Sequence, residues 1–437
     1  MFESLSKFRF WFFGLPYLVI FYGALFLTVV LWYGAPDAIH FSFIRHALLF
    51  TPIHVLWLLA LFIHNFFEIR YLRSLRAIFF SLTTTSFVNI FIAITYFYFQ
   101  PALALTPRRF LLMDVLLVYV LLAIYLVFIR YFSIKHFVLK VYFLSAHGTW
   151  KDMEHVLGQL LGVGYVFAGY LDASNLSSAS KDGRIVTVVL PDSGDIIPGD
   201  LKHIYAMRSK GVVFHNYRDF TELLTRTVQL SKINELWFLE NVRYQDSLVY
   251  NFLKRCLDLF CGLLGVTVFL ITYPLFALLI KTSVKDSVIF KQKRMGKFGH
   301  IFTIYKYRTM SGGDGVTWTS PNDTRITWVG KIFRLTRMDE LPQAINLLLG
   351  NMSLVGPRPE QVHIAEELAE HISFYDERHM VKPGLTGWAQ LHVYAASVDE
   401  SRVKLQYDLY YIKHRSFLFD LEIIIKTIYH LVGAKGR

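Results

Sequence analysis

At 437 residues, with 54% hydrophobic and 16% aromatic side chains and a mean hydropathy of +0.40, the chain is too apolar for one soluble domain and long enough for two or three. Its formal charge of +12 suits an anionic partner such as nucleic acid, phospholipid head groups or a phosphorylated substrate. The two cysteines, Cys256 and Cys261, share one apolar run, with neither a zinc spacing nor a disulfide framework.

Four apolar stretches, starting at Phe8, Leu48, Ile78 and Phe110, fill the first third. Each supplies the roughly 20 residues that a helix needs to cross a bilayer. The first is too long for the apolar core of a cleaved signal and is expected to stay as an anchor. Lys7 and Arg9 precede it, Arg70, Arg73 and Arg76 fill the second connection, and Arg130, Lys135 and Lys140 follow the fourth stretch. That bias places both ends of the set in the cytoplasm, with Arg108 and Arg109 in the third connection counting against it. Asp114 and His64, the polar groups noted within these stretches, are expected to serve helix packing.

From His136 to about Tyr250 the pattern turns soluble. "FVLKVYFLS", "YVFAGYLD", "RIVTVVLP" and "GVVFHN" read as strands, and "TWKDMEHVLGQLLG" as a helix. Alternating elements with short turns predict a small α/β layer with a partly parallel sheet. The first strand runs into "SAHGTW", which has one glycine where a dinucleotide turn needs three. The module is therefore expected to be structural or oligomerising, since a fold alone does not give a function.

A fifth apolar stretch, residues 257–280, lies between Lys254 and Arg255 on one side and Lys281, Lys285, Lys291, Lys293 and Arg294 on the other. Crossing the membrane would translocate one basic flank. Pro274 lacks a backbone donor, and is expected to break the helix and return the chain to its own side. The alternative is a proline-kinked crossing.

In "HIFTIYKYR" the strand period of two puts Lys306 and Arg308 on one face, either as a phosphate clamp or as a solvated edge. In "RLTRMDELPQAINLLLGNMSLVGPRPE", residues 334–360, Pro342 suits the first turn of a helix and sets Asp339 and Glu340 at its N-terminus, where the dipole lowers carboxylate pKa. Beside Arg334 and Arg337, an ionised carboxylate is available as a nucleophile or a magnesium ligand, or it serves only as a helix cap. Flanking prolines preorganise Arg358 for bidentate oxyanion contact. In "LFDLEIIIKTIYHLV", Leu421, Ile424, Ile425, Ile428 and Leu431 share a helical face, for the membrane interface or for packing on the core.

From about Phe252 onward, "KRCLDL", the apolar stretch with its proline, "YKYRTM", "RLTRMDELPQ", "NMSLVGPRPE", "KPGLTGWAQ" and "YDLYYIKHRSFLFDL" follow in order. This segment resembles the bacterial sugar transferase domain of the polyisoprenyl-phosphate hexose-1-phosphate transferases, the large monotopic phosphoglycosyl transferases, with wording closest to the exopolysaccharide, exosortase-associated type. The resemblance implies a membrane α plus α/β protein: four transmembrane helices (1–135), a degenerate Rossmann-like α/β module (136–250) and a membrane-embedded α/β catalytic domain with a re-entrant helix (251–437). It implies transfer of a hexose-1-phosphate from a UDP-sugar to undecaprenyl phosphate with release of UMP, the initiating step of exopolysaccharide, O-antigen or capsule repeat-unit synthesis, at the cytoplasmic face of the bacterial inner membrane.

By position, the resemblance makes Asp339 the nucleophile that forms a covalent phosphosugar, and pairs it with Glu340 around Mg²⁺. Lys306, Arg308, Arg334 and Arg358 become the phosphate-binding cations. Pro383, Gly384, Gly387 and Gln390 fall in the uridine or sugar region, with a structural turn as the alternative reading of the glycines. A membrane-anchored nucleotide-sensing or assembly scaffold would suit a decayed acid pair, but Asp339, Glu340 and Arg358 are all present. A nucleic-acid-binding role has charge alone behind it, without a recognition fold. The sugar and the oligomeric state are left open, with the α/β module as the candidate homodimer surface. Residues 1–250 are expected to be dispensable for the chemistry, so that a chain starting near residue 245 keeps it.

Overall fold

The computed structural model describes residues 14–34, 36–63, 66, 75–99, 108–136, 139–144, 165–172, 186–191, 202, 204–206, 212–242, 247–312, 323–393 and 397–432. These fall into two units, Met1–Thr225 and Arg226–Arg437. In the first, the apolar stretches form α1 (Leu15–Tyr33), α2 (Pro36–Ile63), α3 (Leu75–Phe99) and α4 (Arg108–His136), each long and apolar enough to cross a membrane. Pro16 sits in the first turn of α1, where a missing N–H costs nothing, and Gly34 ends the helix in a left-handed conformation. The second helix begins at Pro36 rather than near Leu48 and includes Arg45.

The four helices pack as a ring in which each neighbouring pair shares a polar link. The hydroxyls of Tyr22 and Thr51 meet at 2.8 Å between α1 and α2. The Trp57 indole of α2 donates to the Asn89 carbonyl of α3 at 3.0 Å. Thr83 and Tyr119 meet at 3.2 Å between α3 and α4, and Thr28 of α1 donates to Asp114 of α4 at 3.3 Å. Asp114 thus links helices, as expected. His64 lies outside the described residues, whereas His46 and His54, which the sequence pattern did not single out, are buried in the bundle.

Four strands follow: β1 (Leu139–Leu144), β2 (Tyr165–Leu171), β3 (Val186–Leu190) and β4 (Val212–Asn216). They pair in the order β2-β1-β3-β4, and every pair is parallel. The helix α5 (Tyr217–Thr225) lays Phe220 and Leu224 on Val141, Phe143 and Val189. The "SAHGTW" turn and the "TWKDMEHVLGQLLG" helix lie outside the described residues.

The second unit starts at Arg226, well before the boundary at 250/251 drawn from sequence pattern. Val228, Ile233, Trp237, Phe238 and Val242 share a core with Val355, Tyr375, Trp388 and Leu405. Trp237 and Phe238 of that face belong to α6 (Glu235–Asn241), capped by Asn234, whose side chain accepts from the Trp237 N–H at 3.0 Å.

Next comes α7 (Leu248–Ser283), a single helix of 36 residues with Pro274 inside it. The break expected at Pro274 is not found. One missing donor in so long a helix leaves the bonded turns on either side intact, and helical backbone continues to Ser283. The first half of α7 is pinned by polar contacts: Lys254 donates to Asp420 at 2.7 Å and to the Val355 carbonyl at 2.9 Å, while Asp258 accepts from the Leu354 N–H at 2.7 Å. The second half packs Phe269, Phe276 and Ile280 against Tyr307 and Phe333. Between them, Gly265 lets α7 close on Ala344, whose Cβ would lie 2.7 Å from an added one. The other face carries exposed Phe260, Leu263, Leu270, Ile271 and Leu275.

Around α7 fold an antiparallel hairpin, β5 (Ile289–Met295) and β6 (Ile301–Tyr307), then α8 (Trp328–Thr336) and the short α9 (Ala344–Leu349). The three-residue β7 (Ser353–Val355) and β8 (Gly384–Thr386) pair in parallel. Three further helices, α10 (Val362–His371), α11 (Val398–His414) and α12 (Phe417–Val432), close the core. α12 packs on that core through Phe419 and Ile423, which are buried in it; of the face expected from the sequence Ile424 packs against the core, whereas Ile428 is exposed.

Candidate active site

Thr327 caps α8, its hydroxyl accepting from the Gly330 N–H at 2.9 Å, and Arg337 ends the helix in a left-handed conformation. The chain then enters a 3-10 turn, Met338–Gln343, which carries Asp339 and Glu340. The helix expected to start at Pro342 begins two residues later and has only six residues. Asp339 is 8% exposed, and its Oδ1 is buried without a hydrogen-bond partner. Glu340 is surrounded by cations: its Oε1 lies 2.7 Å from Arg358, 3.5 Å from Lys306 and 3.9 Å from Arg337.

These surroundings drive the two adjacent carboxyls apart. Burial pushes Glu340 up, but Arg358, Lys306 and Arg337 together outweigh it and hold Glu340 well below the usual carboxylate range. Asp339 moves the other way. Burial and the charge of Glu340 raise its pKa against the pull of Lys306, Arg334 and Arg358, so the lowering expected from a helix dipole is overturned. A six-residue helix offers little dipole, and desolvation dominates. Burial also brings Lys306 down to about 8, with Glu340 opposing. Paired acids with divergent environments are suited to different tasks.

Of the expected cations, Lys306 and Arg358 reach Glu340 directly. Arg334 donates to Thr309 Oγ1 at 3.0 Å, and its charge acts on Asp339. Arg308 does not join them. It lies past the end of β6, where its guanidinium donates to the Ser287 carbonyl and hydroxyl and stacks over Phe290.

The glycine segment serves the clamp from behind. The Gly384 N–H donates to the Pro357 carbonyl at 2.8 Å, the Gly356 N–H to Thr386 at 2.9 Å, and the Ser353 N–H to Pro383 at 2.9 Å. A Cβ at Gly384 or Gly387 would stand 2.1 or 2.2 Å from Gly356 backbone atoms. Those two glycines therefore admit protein backbone, the structural alternative weighed above. Pro383 lines a small cleft with Pro357, Arg358 and His379, and Gln390 keeps a buried, unpartnered Nε2.

Sequence reasoning missed an ion network that holds Arg358 in place. Arg378, 2% exposed, donates to Asp408 at 2.8 Å and to the Arg358 carbonyl at 3.0 Å. Arg294 donates to the Pro359 carbonyl at 3.1 Å, and Glu360 pairs with Lys404 and Arg294. The backbone is thus gripped at and just after the clamp arginine. Arg378 and Lys404 stand just before "KPGLTGWAQ" and "YDLYYIKHRSFLFDL", next to two of the segments that carry the resemblance.

Among the described residues, no cluster of three or more His, Cys, Asp or Glu could hold a metal. Mg²⁺, however, commonly takes one or two carboxylates and completes its shell with substrate phosphate and water. The unpartnered Asp339 Oδ1 beside Glu340 fits that donor set.

An acid pair ringed by a lysine and two arginines thus packs against a helix long and apolar enough to cross a membrane. Residues 249–434 match the bacterial sugar transferase family. An exopolysaccharide production protein of Rhizobium leguminosarum is 40% identical over 199 residues, 42% of this chain and 98% of that protein. The chain belongs to the bacterial sugar transferase family. Longer relatives are similar over part of their length. A UDP-N-acetylgalactosamine-undecaprenyl-phosphate N-acetylgalactosaminephosphotransferase of Aeromonas hydrophila is 39% identical over 51% of this chain and 53% of itself. A UDP-glucose:undecaprenyl-phosphate glucose-1-phosphate transferase of Escherichia coli is 38% identical over 41% of this chain and 40% of itself. The chain thus spans about half, or less, of these longer relatives.

Proposed function

We propose that this protein transfers a sugar-1-phosphate from a UDP-sugar to undecaprenyl phosphate, releasing UMP and starting repeat-unit assembly of an exopolysaccharide, O-antigen or capsule. The observation that carries this reading is the buried Asp339 with a free Oδ1 next to a clamp of Lys306, Arg337 and Arg358. A carboxylate oxygen of Asp339 attacks the β-phosphorus of the UDP-sugar. The bond to the α–β bridging oxygen breaks, and UMP leaves with the electron pair. An oxygen of undecaprenyl phosphate then attacks the same phosphorus, the carboxylate departs, and the lipid carries the sugar diphosphate. One hard displacement becomes two easier ones.

Phosphoryl transfer asks mainly for positioning and charge neutralisation. Lys306, Arg334 and Arg358 supply both. Mg²⁺ held by Asp339 and Glu340 would add positive charge on the diphosphate. Membranes bearing the protein, supplied with undecaprenyl phosphate and a panel of UDP-sugars, should release UMP from at least one of them. No release across the panel would sink the reading.

The lipid substrate requires the site at head-group level, and the path of α7 supports a re-entrant or interfacial course for it. Both halves of the helix pack on the same charged α/β domain, whereas the two ends of a crossing helix lie on opposite sides of about 30 Å of hydrocarbon. With basic flanks at both ends, both sides of α7 face the cytoplasm of the inner membrane. Single cysteines at positions 246 and 297, with Cys256 and Cys261 replaced, are expected to be labelled from the cytoplasm only. A periplasmic signal at either position would mean a crossing.

A further inference from the structure

Trp388, 2% exposed, follows Gly387 in the segment that backs the clamp. Its indole N–H donates to the Arg226 carbonyl at 3.1 Å. The Arg226 guanidinium lies 5.5 Å from the Trp388 ring centroid and the Lys426 ammonium 5.1 Å from it. Glu422 ties the two cations together, at 2.6 Å from Arg226 and 2.8 Å from Lys426. Nearby, the Val228 N–H donates to the Gln406 carbonyl at 3.0 Å, and Thr386 meets Thr427 at 2.6 Å. Residue 226 itself precedes the segment that matches the family, 249–434.

We propose that Arg226 is a positioning residue for the Arg358 clamp. It fixes Trp388, Trp388 fixes the adjoining Gly387 and β8, and these hold the Gly356 and Pro357 backbone from which Arg358 projects. Each link is a contact of defined geometry. The Gly387 Cα sits where a side chain would strike the Gly356 carbonyl at 2.2 Å, so a shift of Trp388 is passed on rather than absorbed. The Arg226 backbone is left-handed, with φ of 54°, a conformation uncommon outside glycine, and its side chain and carbonyl are both engaged. The inference rests on the transferase reading, which gives the Arg358 clamp its ligand.

The experiment uses the full-length protein in nanodiscs, with UDP as the binding probe and UMP release as the activity. Arg358 contacts the diphosphate in the ground state too, so Arg226→Ala is expected to weaken UDP binding and raise KM about tenfold, with kcat lowered less than about threefold. Arg226→Lys, which keeps a cation near the ring and near Glu422, should recover most of the loss. In an Arg358→Ala background the same change should weaken UDP binding no further, because the effect runs through Arg358. Glu422→Gln keeps side-chain volume and should reproduce the effect where Arg226→Ala folds poorly. An unchanged UDP affinity in both variants, or a loss that persists undiminished in the Arg358→Ala background, overturns the inference while leaving the transferase reading in place. A wild type that neither binds UDP nor releases UMP overturns the transferase reading, and this inference with it.

Discussion

Asp339→Asn is expected to abolish sugar-phosphate transfer, by roughly four orders of magnitude or more, since an amide keeps the shape of the side chain but cannot attack phosphorus. The protein should remain folded. Burial already disfavours the charged form of Asp339, so a neutral side chain of equal size relieves a desolvation cost instead of adding one. The variant should therefore melt no lower than wild type and still bind UDP. Mass spectrometry of wild type quenched with UDP-sugar alone should find the phosphosugar on Asp339. Full turnover by the Asn variant, or an adduct on another residue, would remove Asp339 from the nucleophile's role.

The second large effect concerns where the catalytic unit starts. A chain beginning at Gln245 is expected to be unstable and inactive, whereas one beginning at Arg226 should fold and release UMP. Starting at 245 removes Val228, Ile233, Trp237, Phe238 and Val242 from a shared core. At about 1.5–3 kcal/mol for each fully buried side chain, that loss rivals the roughly 5–15 kcal/mol by which a whole domain is stable. The expectation that residues 1–250 are dispensable is therefore narrowed to residues 1–225. Circular dichroism and UMP release on both truncations decide it: an active, cooperatively melting chain from 245 would show that the segment is ornamental.

Much of this was legible in the sequence because it is written locally. Apolar length disclosed α1 to α4, and the Asp339 and Glu340 pair with Arg358 stood out as an acid pair followed by a proline-framed arginine. What escaped depends on distance in space. Nothing in "RTVQLSKINELWFLEN" says that Trp237 shares a core with Leu405, because α6 is too short to reveal its face by periodicity. Strand alternation puts Arg308 beside Lys306, but the strand ends at Tyr307, and past that point the period of two no longer applies. A place near a helix start implies a lowered pKa for Asp339, while its burial under neighbouring elements, which decides the sign, has no local signature.

The ring of polar links in the N-terminal bundle bears on how those helices choose one another. In lipid, a leucine gains little by facing another helix instead of an acyl chain, and α1 to α4 are apolar on all sides. Hydrophobicity can then say that these segments belong in the membrane, but not which of them should be neighbours. Among the described residues, Tyr22 with Thr51, Trp57 with Asn89, Thr83 with Tyr119 and Thr28 with Asp114 place a polar contact at every seam of the ring and so bear on that choice. The bundle's address code thus includes a handful of hydroxyl, indole, carbonyl and carboxyl groups; exposed positions such as Val19, Leu31, Phe41 and Phe80 need only stay oily, while buried Phe21, Phe50, Trp57 and Phe110 are held to their shapes by packing.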